Sequence, residues 1–297
     1  MKPVYTCSVS KLDYFHKVFF RTDEDKPWID EQSFLDTLQG KFIQRPEAKY
    51  GEAFHAIIDG EAERGAVKVE QEIIPGFKYK EIFIPDAQAD KAVQYGAQHA
   101  AGIAELAVSK RYETRNATYI VTGRLDRLIG DWIRDCKTKY GQIDIQGDYL
   151  DSYQHRFYLD ILPGVTAFWY DLFQVSGFSE VKDCLTAKIK PVEPFCVTRY
   201  PELSTDVQTC VEEFDSYIQL KGLTQWVEVS PWSRVAKEYK LFEGMVWDDS
   251  TVLMCGKYKG KTLAECGEYL QWLAANQGKH IVLPVGLKSY MKGRGLI

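Results

Sequence analysis

Gly123-Arg124-Leu125-Asp126-Arg127-Leu128-Ile129-Gly130-Asp131-Trp132-Ile133-Arg134-Asp135-Cys136-Lys137 is the stretch around which the chain is organised. Two β-prone runs flank Gly130-Asp131, and a glycine accepts the positive φ that a two-residue hairpin turn requires. That turn sets Ile129 against Trp132 and, counted outward, Asp126 against Asp135. Side chains alternate along a strand, so Lys137 is expected on the same face as both aspartates. Opposed β-carbons lie about 4.5–5.5 Å apart, where like charges are destabilising. Two carboxylates so placed need a cation between them, or one must take up a proton. A hard divalent ion with oxygen ligands, Mg2+ or Mn2+, answers that need. An ammonium one step away can orient an attacking water or offset charge on a phosphorane-like transition state.

Outward from the hairpin, Ser8-Val9-Ser10-Lys11-Leu12 reads as a helix start with serine hydroxyls as caps. Residues 22–50 read as loop with one short helix near Glu31 to Leu38, and Gly51 to about Glu63 as a helix with Phe54, Ile57 and Ile58 on one face. Residues 68–84 read as strands and the alanine-rich Asp86 to Ser109 as helix. Strands follow at Tyr119–Thr122, Leu125–Ile129 and Trp132–Lys137, then a helix from Tyr149 to Ile161, a strand from Ala167 to Val175 and a helix over 203–221. The order predicts an α/β protein, with a mixed central sheet flanked by helices over residues 1–225. A tryptophan-rich linker, 226–249 (Trp226, Pro231, Trp232), leads to a small basic C-terminal module, 250–297. There is no internal repeat and no low-complexity tract.

Of the 297 residues 45% are hydrophobic, enough for a real core, which excludes a disordered chain. No run approaches the roughly 20 apolar residues of a membrane-spanning helix; the best, Ile161 to Phe173, is broken by Pro163, Gly164 and Asp171. Met1 to Cys7 lacks the apolar stretch of a secretory signal. The seven cysteines include no Cys-x-x-Cys pair, which argues against a disulfide framework, a zinc ribbon and an iron–sulfur cluster, and for reduced thiols in a cytoplasmic protein. Without a Gly-x-x-x-x-Gly-Lys-[Ser/Thr] loop, an ATP-driven activity within the chain is not expected. The net charge is −5, yet residues 251–297 carry seven Lys or Arg against Glu265 and Glu268, a net of +5. An acidic body with a basic tail suits a metal site in the body and phosphate contacts in the tail.

Acid-x-Lys runs recur at Glu24-Asp25-Lys26, Glu180-Val181-Lys182 and Glu238-Tyr239-Lys240, and Pro46-Glu47-Ala48-Lys49 is a fourth decoy. All lack a hairpin and a facing acid. The order Gly51-Glu52-Ala53-Phe54-His55, Gly123-Arg124-Leu125-Asp126, Asp135-Cys136-Lys137-Thr138 and Gln154-His155-Arg156-Phe157-Tyr158 resembles the RecB-type branch of the PD-(D/E)XK nuclease superfamily. Ser8-x-Ser10-x-Leu12 and Glu113 share in the resemblance, which runs from about residue 8 to 175. It implies a restriction-endonuclease-like core in which Asp126, Asp135, the Cys136 carbonyl and His55 hold Mg2+ or Mn2+. Lys137 is then the catalytic lysine, and Asp59, one turn after His55, a partner for the other ring nitrogen. Gln154 and Tyr158 would line a DNA cleft, with His155 and Arg156 as phosphate contacts. Some relatives carry an iron–sulfur cluster; the cysteine spacing here predicts none.

Gly256-Lys257-Tyr258-Lys259-Gly260-Lys261-Thr262-Leu263-Ala264-Glu265, followed by Tyr269-Leu270-Gln271-Trp272-Leu273, resembles the C-terminal module of exodeoxyribonuclease X-like proteins. Lys257, Lys259 and Lys261 at alternate positions would face one side and meet phosphates. The expected function is a phage-type exodeoxyribonuclease acting on linear duplex ends in recombination or repair, in the cytoplasm of a bacterium or phage-infected host. Alternatives are a structure-specific endonuclease and a catalytically inactive DNA-binding or interaction protein. DNA is the expected partner, with a single-strand annealing or recombination protein and a homo-oligomer as further expectations, and no membrane.

Overall fold

The structure, a computed structural model, describes residues 2–20, 30–41, 45–177, 185–227, 247–251, 253, 258, 261–276, 283 and 285–297. Strand β1 (Val4–Ser8) runs into helix α1 (Val9–Phe19), where the Ser8 hydroxyl accepts from the Lys11 N–H at 3.3 Å, one of the donors a helix start leaves unpaired. Helix α2 (Glu31–Leu38) begins in a capping box made by Asp30 and Ser33. Helix α3 (Pro46–Ile58) starts five residues before the expected Gly51, because Pro46 in its first turn needs no N–H partner and has its φ already set. A three-stranded antiparallel sheet follows: β2 (Glu63–Val69), β3 (Glu72–Tyr79) and β4 (Ile82–Pro85).

Helix α4 (Asp86–Gln98) stops well short of Ser109, and β5 (Ile103–Glu113) occupies the remainder. Ala104 and Ala107 favour helix locally, but they pair with Arg127 and Arg124 of the next strand, and that long-range ladder outweighs a weak propensity. The two strands expected at 119–122 and 125–129 are one, β6 (Thr118–Ile129), joined by the Gly130-Asp131 turn to β7 (Trp132–Tyr140). A π-helical turn (Gln146–Leu150) precedes helix α5 (Tyr153–Ile161), capped by the Ser152 hydroxyl. Strands β8 (Ala167–Ser176), β9 (Lys188–Pro191) and β10 (Phe195–Thr198) and helix α6 (Leu203–Leu220) follow. Near the C-terminus lie α7 (Gly267–Asn276) and α8 (Val285–Gly293).

The main sheet runs β1-β6-β7-β8-β10, with β5 also on β6 and β9 also on β8. The β7–β8 pair is parallel and the helix α5 lies in the crossover between them, whereas β5–β6, β6–β7, β8–β9 and β8–β10 are antiparallel. The fold is therefore α/β with a mixed central sheet flanked by helices, as expected. Alternate residues of β8 mark the two faces. Phe168 and Tyr170 pack on Tyr158 and His155 of α5, while Phe173 and Val175 join Tyr50 and Phe54 of α3 and Tyr95 of α4. Phe15, Phe34 and Phe214 bring α1, α2 and α6 together. The chain divides into two compact units, Met1–Pro3 with Cys7–Trp226 and Val4–Thr6 with Val227–Ile297. Most of the expected linker, residues 228–246 with Pro231 and Trp232, lies outside the described residues. Among the described residues no helix is long and apolar enough to cross a membrane.

The start of α5 is fixed by α1. Buried Asp13 accepts from the Ser152 hydroxyl at 2.8 Å, the Tyr153 N–H at 2.7 Å and Lys17 Nζ at 2.6 Å. Burial alone would raise its carboxyl pKa; the Lys17 charge and these hydrogen bonds outweigh it and hold the value below the ordinary one. A depressed carboxyl stabilises the fold above its unfolded pKa and ceases to do so as pH falls through the folded value. Asp13→Ala is expected to cost about 1–3 kcal/mol at neutral pH, from the unpaired Ser152 and Tyr153 donors. Urea unfolding should show the gap from the parent shrinking in acid; a gap as wide near pH 2 as at pH 7 would contradict it.

Candidate active site

The β6–β7 ladder pairs Ile129 with Trp132, Leu128 with Ile133 and Arg127 with Arg134, as the turn predicts, and Gly130 has φ of 58°. There it ends. Continued by count, it would set Asp135 against Asp126 and Cys136 against Leu125; instead the strands part. Cys136 is 1% exposed, so its main-chain groups cannot turn to water and need other partners. The Asp126 Oδ2 accepts the Cys136 N–H at 3.0 Å, and His55 Nε2 of α3 bonds the Cys136 carbonyl at 2.9 Å. Since a carbonyl only accepts, that ring nitrogen carries the proton. The other ring nitrogen is 3.9 Å from Asp126 Oδ2. Across the gap, the Tyr158 hydroxyl donates to the Arg124 carbonyl at 2.8 Å and accepts from its N–H at 3.2 Å. Three side chains thus do the work of the absent ladder.

Two glycines make room for this. A Cβ on Gly51, one turn before His55, would lie 2.7 Å from the Thr138 hydroxyl of β7, so glycine lets α3 come close enough for His55 to reach. A Cβ on Gly123 would lie 2.4 Å from the Tyr158 ring. The glycines of two motifs are the spaces that residues of two others fill.

Asp135 and Lys137 point to the α5 side. Asp135 Oδ1 accepts from Lys137 Nζ at 2.8 Å and from Gln154 Nε2 at 3.2 Å. Its Oδ2 lies 2.7 Å from the same ammonium, but it is buried and accepts no aligned hydrogen bond. Burial, reinforced by the Asp126 charge, pushes the Asp135 carboxyl up to about 7 against the pull of Lys137. Burial would lower the Lys137 pKa, but the charges of Asp135 and Asp126 outweigh it and hold the amine above the ordinary lysine value. The ladder pairing of Asp126 with Asp135 does not form, yet the charge of Asp126 still reaches both Asp135 and Lys137. Asp126 reaches sideways to the β7 main chain and lies beside His55, because the parted strands leave the Cys136 N–H for it to take.

Other expected site residues fall elsewhere. Asp59 pairs with Arg127 at 2.9 Å and makes no hydrogen bond to His55. His155 is buried on the Tyr170 hydroxyl at 3.1 Å, and burial drops its pKa to about 4, so it is neither exposed nor charged for a phosphate. Arg156 lies over the Tyr153 ring at 4.5 Å and 3.6 Å from Asp206, turned toward α6. Tyr158, 5% exposed, clamps a strand and offers little surface to DNA. Glu113 accepts from Thr118 at the β5–β6 turn, and the decoy Lys49 pairs with Glu81. Lys257 and Lys259 lie outside the described residues, as do the decoys around Asp25, Val181 and Tyr239; Lys261 is exposed. The sequence reading missed Asp171, whose charge adds to the rise of Asp135 and which Arg134 and the Tyr95 hydroxyl hold. Its signal was a lone acid within an otherwise apolar strand.

Among the described residues no three His, Cys, Asp or Glu side chains form a ready metal set. The oxygen donors nearest the parting of the strands are those of Asp126, Asp135 and the Cys136 carbonyl, and Asp135 Oδ2, 2.7 Å from Lys137 Nζ, is a buried acceptor with no hydrogen bond of its own.

No protein-family model matches the chain. No curated protein matches it either. A solved structure described as "Crystal structure of SSO0001" is similar at 12% identity, over 73% of this chain and 78% of that one, with a TM-score of 0.42.

Asp126→Ala is expected to lower stability by about 1–3 kcal/mol by stranding the buried Cys136 N–H. Asp126→Asn, whose side-chain carbonyl still accepts, should lose clearly less. Equal denaturation midpoints for the two variants would show that the bond does not support the parted strands.

Proposed function

We propose that the chain is a divalent-metal-dependent deoxyribonuclease of the RecB-type PD-(D/E)XK kind, hydrolysing phosphodiester bonds at linear duplex ends. The observation that carries this reading is the meeting of Asp126, His55, the Cys136 main chain, Asp135, Lys137 and Gln154 at one parting of two strands. Those residues come from three separated segments of sequence and belong to the four motifs of the resemblance.

The donors suit a hard cation: two carboxylates and a carbonyl oxygen, with water completing the shell. Asp126, Asp135 and the Cys136 carbonyl would hold Mg2+ or Mn2+, with His55 beside them. When bound, such an ion lowers the pKa of a water and stabilises charge on phosphate oxygens. Lys137, whose amine the two carboxylates hold above the ordinary lysine value, would assist the nucleophile or offset charge on the phosphate. Gln154 orients Asp135 from the helix, which in turn fixes the ammonium. Tyr158 holds the strand that carries Asp126.

With end-labelled linear duplex and Mg2+ or Mn2+, the chain is expected to release nucleotides from the ends and to leave a closed circle uncut. Asp135→Ala and Lys137→Ala should each lower cleavage by at least about 100-fold, the scale of lost electrostatic stabilisation, while duplex binding in Ca2+ is largely kept. Cleavage that persists in both variants would refute the nuclease reading; a nicked circle would make the enzyme an endonuclease.

A further inference from the structure

The C-terminal unit has a core of its own, in which Leu263, Cys266, Leu270, Leu273, Leu283, Leu287 and Met291 are buried together. The 3-10 turn over Leu263–Cys266 is closed by Thr262 and Glu265, and α7 follows it directly. Leu270 and Leu273 take the inner side of α7, Tyr269 packs at the edge of the same core, and Trp272, three residues on, lies exposed beside it. Their rings are parallel within 8° at a centroid distance of 5.8 Å, and the Tyr258 ring lies 5.0 Å from that of Tyr269. The exposed Lys261 puts its Nζ 5.4 Å from the Tyr258 ring. An ammonium, two tyrosines and an indole thus form one row, and the indole at its end is 52% exposed.

We infer that the end of this row is a stacking platform for single-stranded DNA, with a base on the exposed Trp272 indole, Tyr269 backing it, and the phosphates toward Lys261. An exposed indole would serve a protein partner as well, but the charge favours a polyanion. Residues 251–297 carry a net +5 and the whole stretch 227–297 a net +3, with Lys257, Lys259 and Lys261 close together in sequence. Three of the acids in this unit are engaged locally. Glu265 accepts the Thr262 N–H and hydroxyl, Asp248 accepts from Ser250 and Thr251, and Asp249 holds Tyr290 and Arg294. A flat exposed ring near the Lys261 ammonium suits every base, so affinity without sequence preference is expected. The inference rests on the nuclease reading for its choice of DNA as the occupant.

The test is fluorescence anisotropy of a labelled oligothymidine with the full chain in EDTA, where no metal-dependent cleavage occurs. Trp272→Ala is expected to weaken binding about tenfold or more, and Trp272→Phe, which keeps a ring, by only a few-fold. Lys261→Gln should lower the salt slope by about 0.7, one single-strand phosphate contact. Unchanged affinity in Trp272→Ala, or equal losses in the Ala and Phe variants, overturns the inference and leaves the indole to a protein partner. A chain that binds through Trp272 but cleaves nothing overturns the nuclease reading alone. One that cleaves, with oligonucleotide binding indifferent to Trp272, overturns this inference alone.

Discussion

The site depends on how one buried peptide is satisfied. Cys136 lies where β7 has lost its neighbour β6, and a main-chain donor and acceptor left unpaired there would cost about 1–3 kcal/mol each. Asp126 takes the donor and His55 the acceptor, while Tyr158 does the same for Arg124 on the opposite strand. The parting of the strands is therefore stable only with these side chains in place. It is also what brings a carboxylate from one strand, an acid and an amine from the next, and residues from α3 and α5 within reach of each other. Folding and site assembly share their hydrogen bonds.

The charges follow from that geometry. With the ladder intact, Asp126 and Asp135 would face each other; with it open, Asp126 is tied to a main-chain N–H and Asp135 is left in the interior with Lys137. The result is an uneven pair. Burial weakens the acidity of Asp135, and one of its oxygens accepts no aligned hydrogen bond. The same burial leaves Lys137 surrounded by negative charge that keeps it protonated. Asp171, held from the other face by Arg134 and Tyr95, adds to the negative field.

Much of this was legible in the sequence. The turn at Gly130-Asp131 fixed the first three pairs of the hairpin, because a two-residue loop leaves no freedom of register. Helix α2 and helix α6 fall within one residue of their expected bounds. What could not be read was non-local. The alanines of β5 look helical until β6 is there to pair with them, and Pro46 extends α3 beyond its apolar face. The end of the hairpin ladder has no marker in the hairpin itself, since it depends on a histidine and a tyrosine from other segments. For the same reason His155 reads as a phosphate contact in the sequence, when burial against β8, where it bonds the Tyr170 hydroxyl, makes it a neutral core residue.

A methyl group at position 51 would lie 2.7 Å from the threonine hydroxyl at 138, so neither position is free to evolve alone. The same holds for Gly123 and Tyr158. A descendant could exchange Asp135 and Lys137 and lose few hydrogen bonds to the rest of the fold, yet it would have to keep Asp126, His55 and Tyr158, with their two glycines, to hold the parted strands in place. In a lineage of such proteins that scaffold would be the slowest part to change.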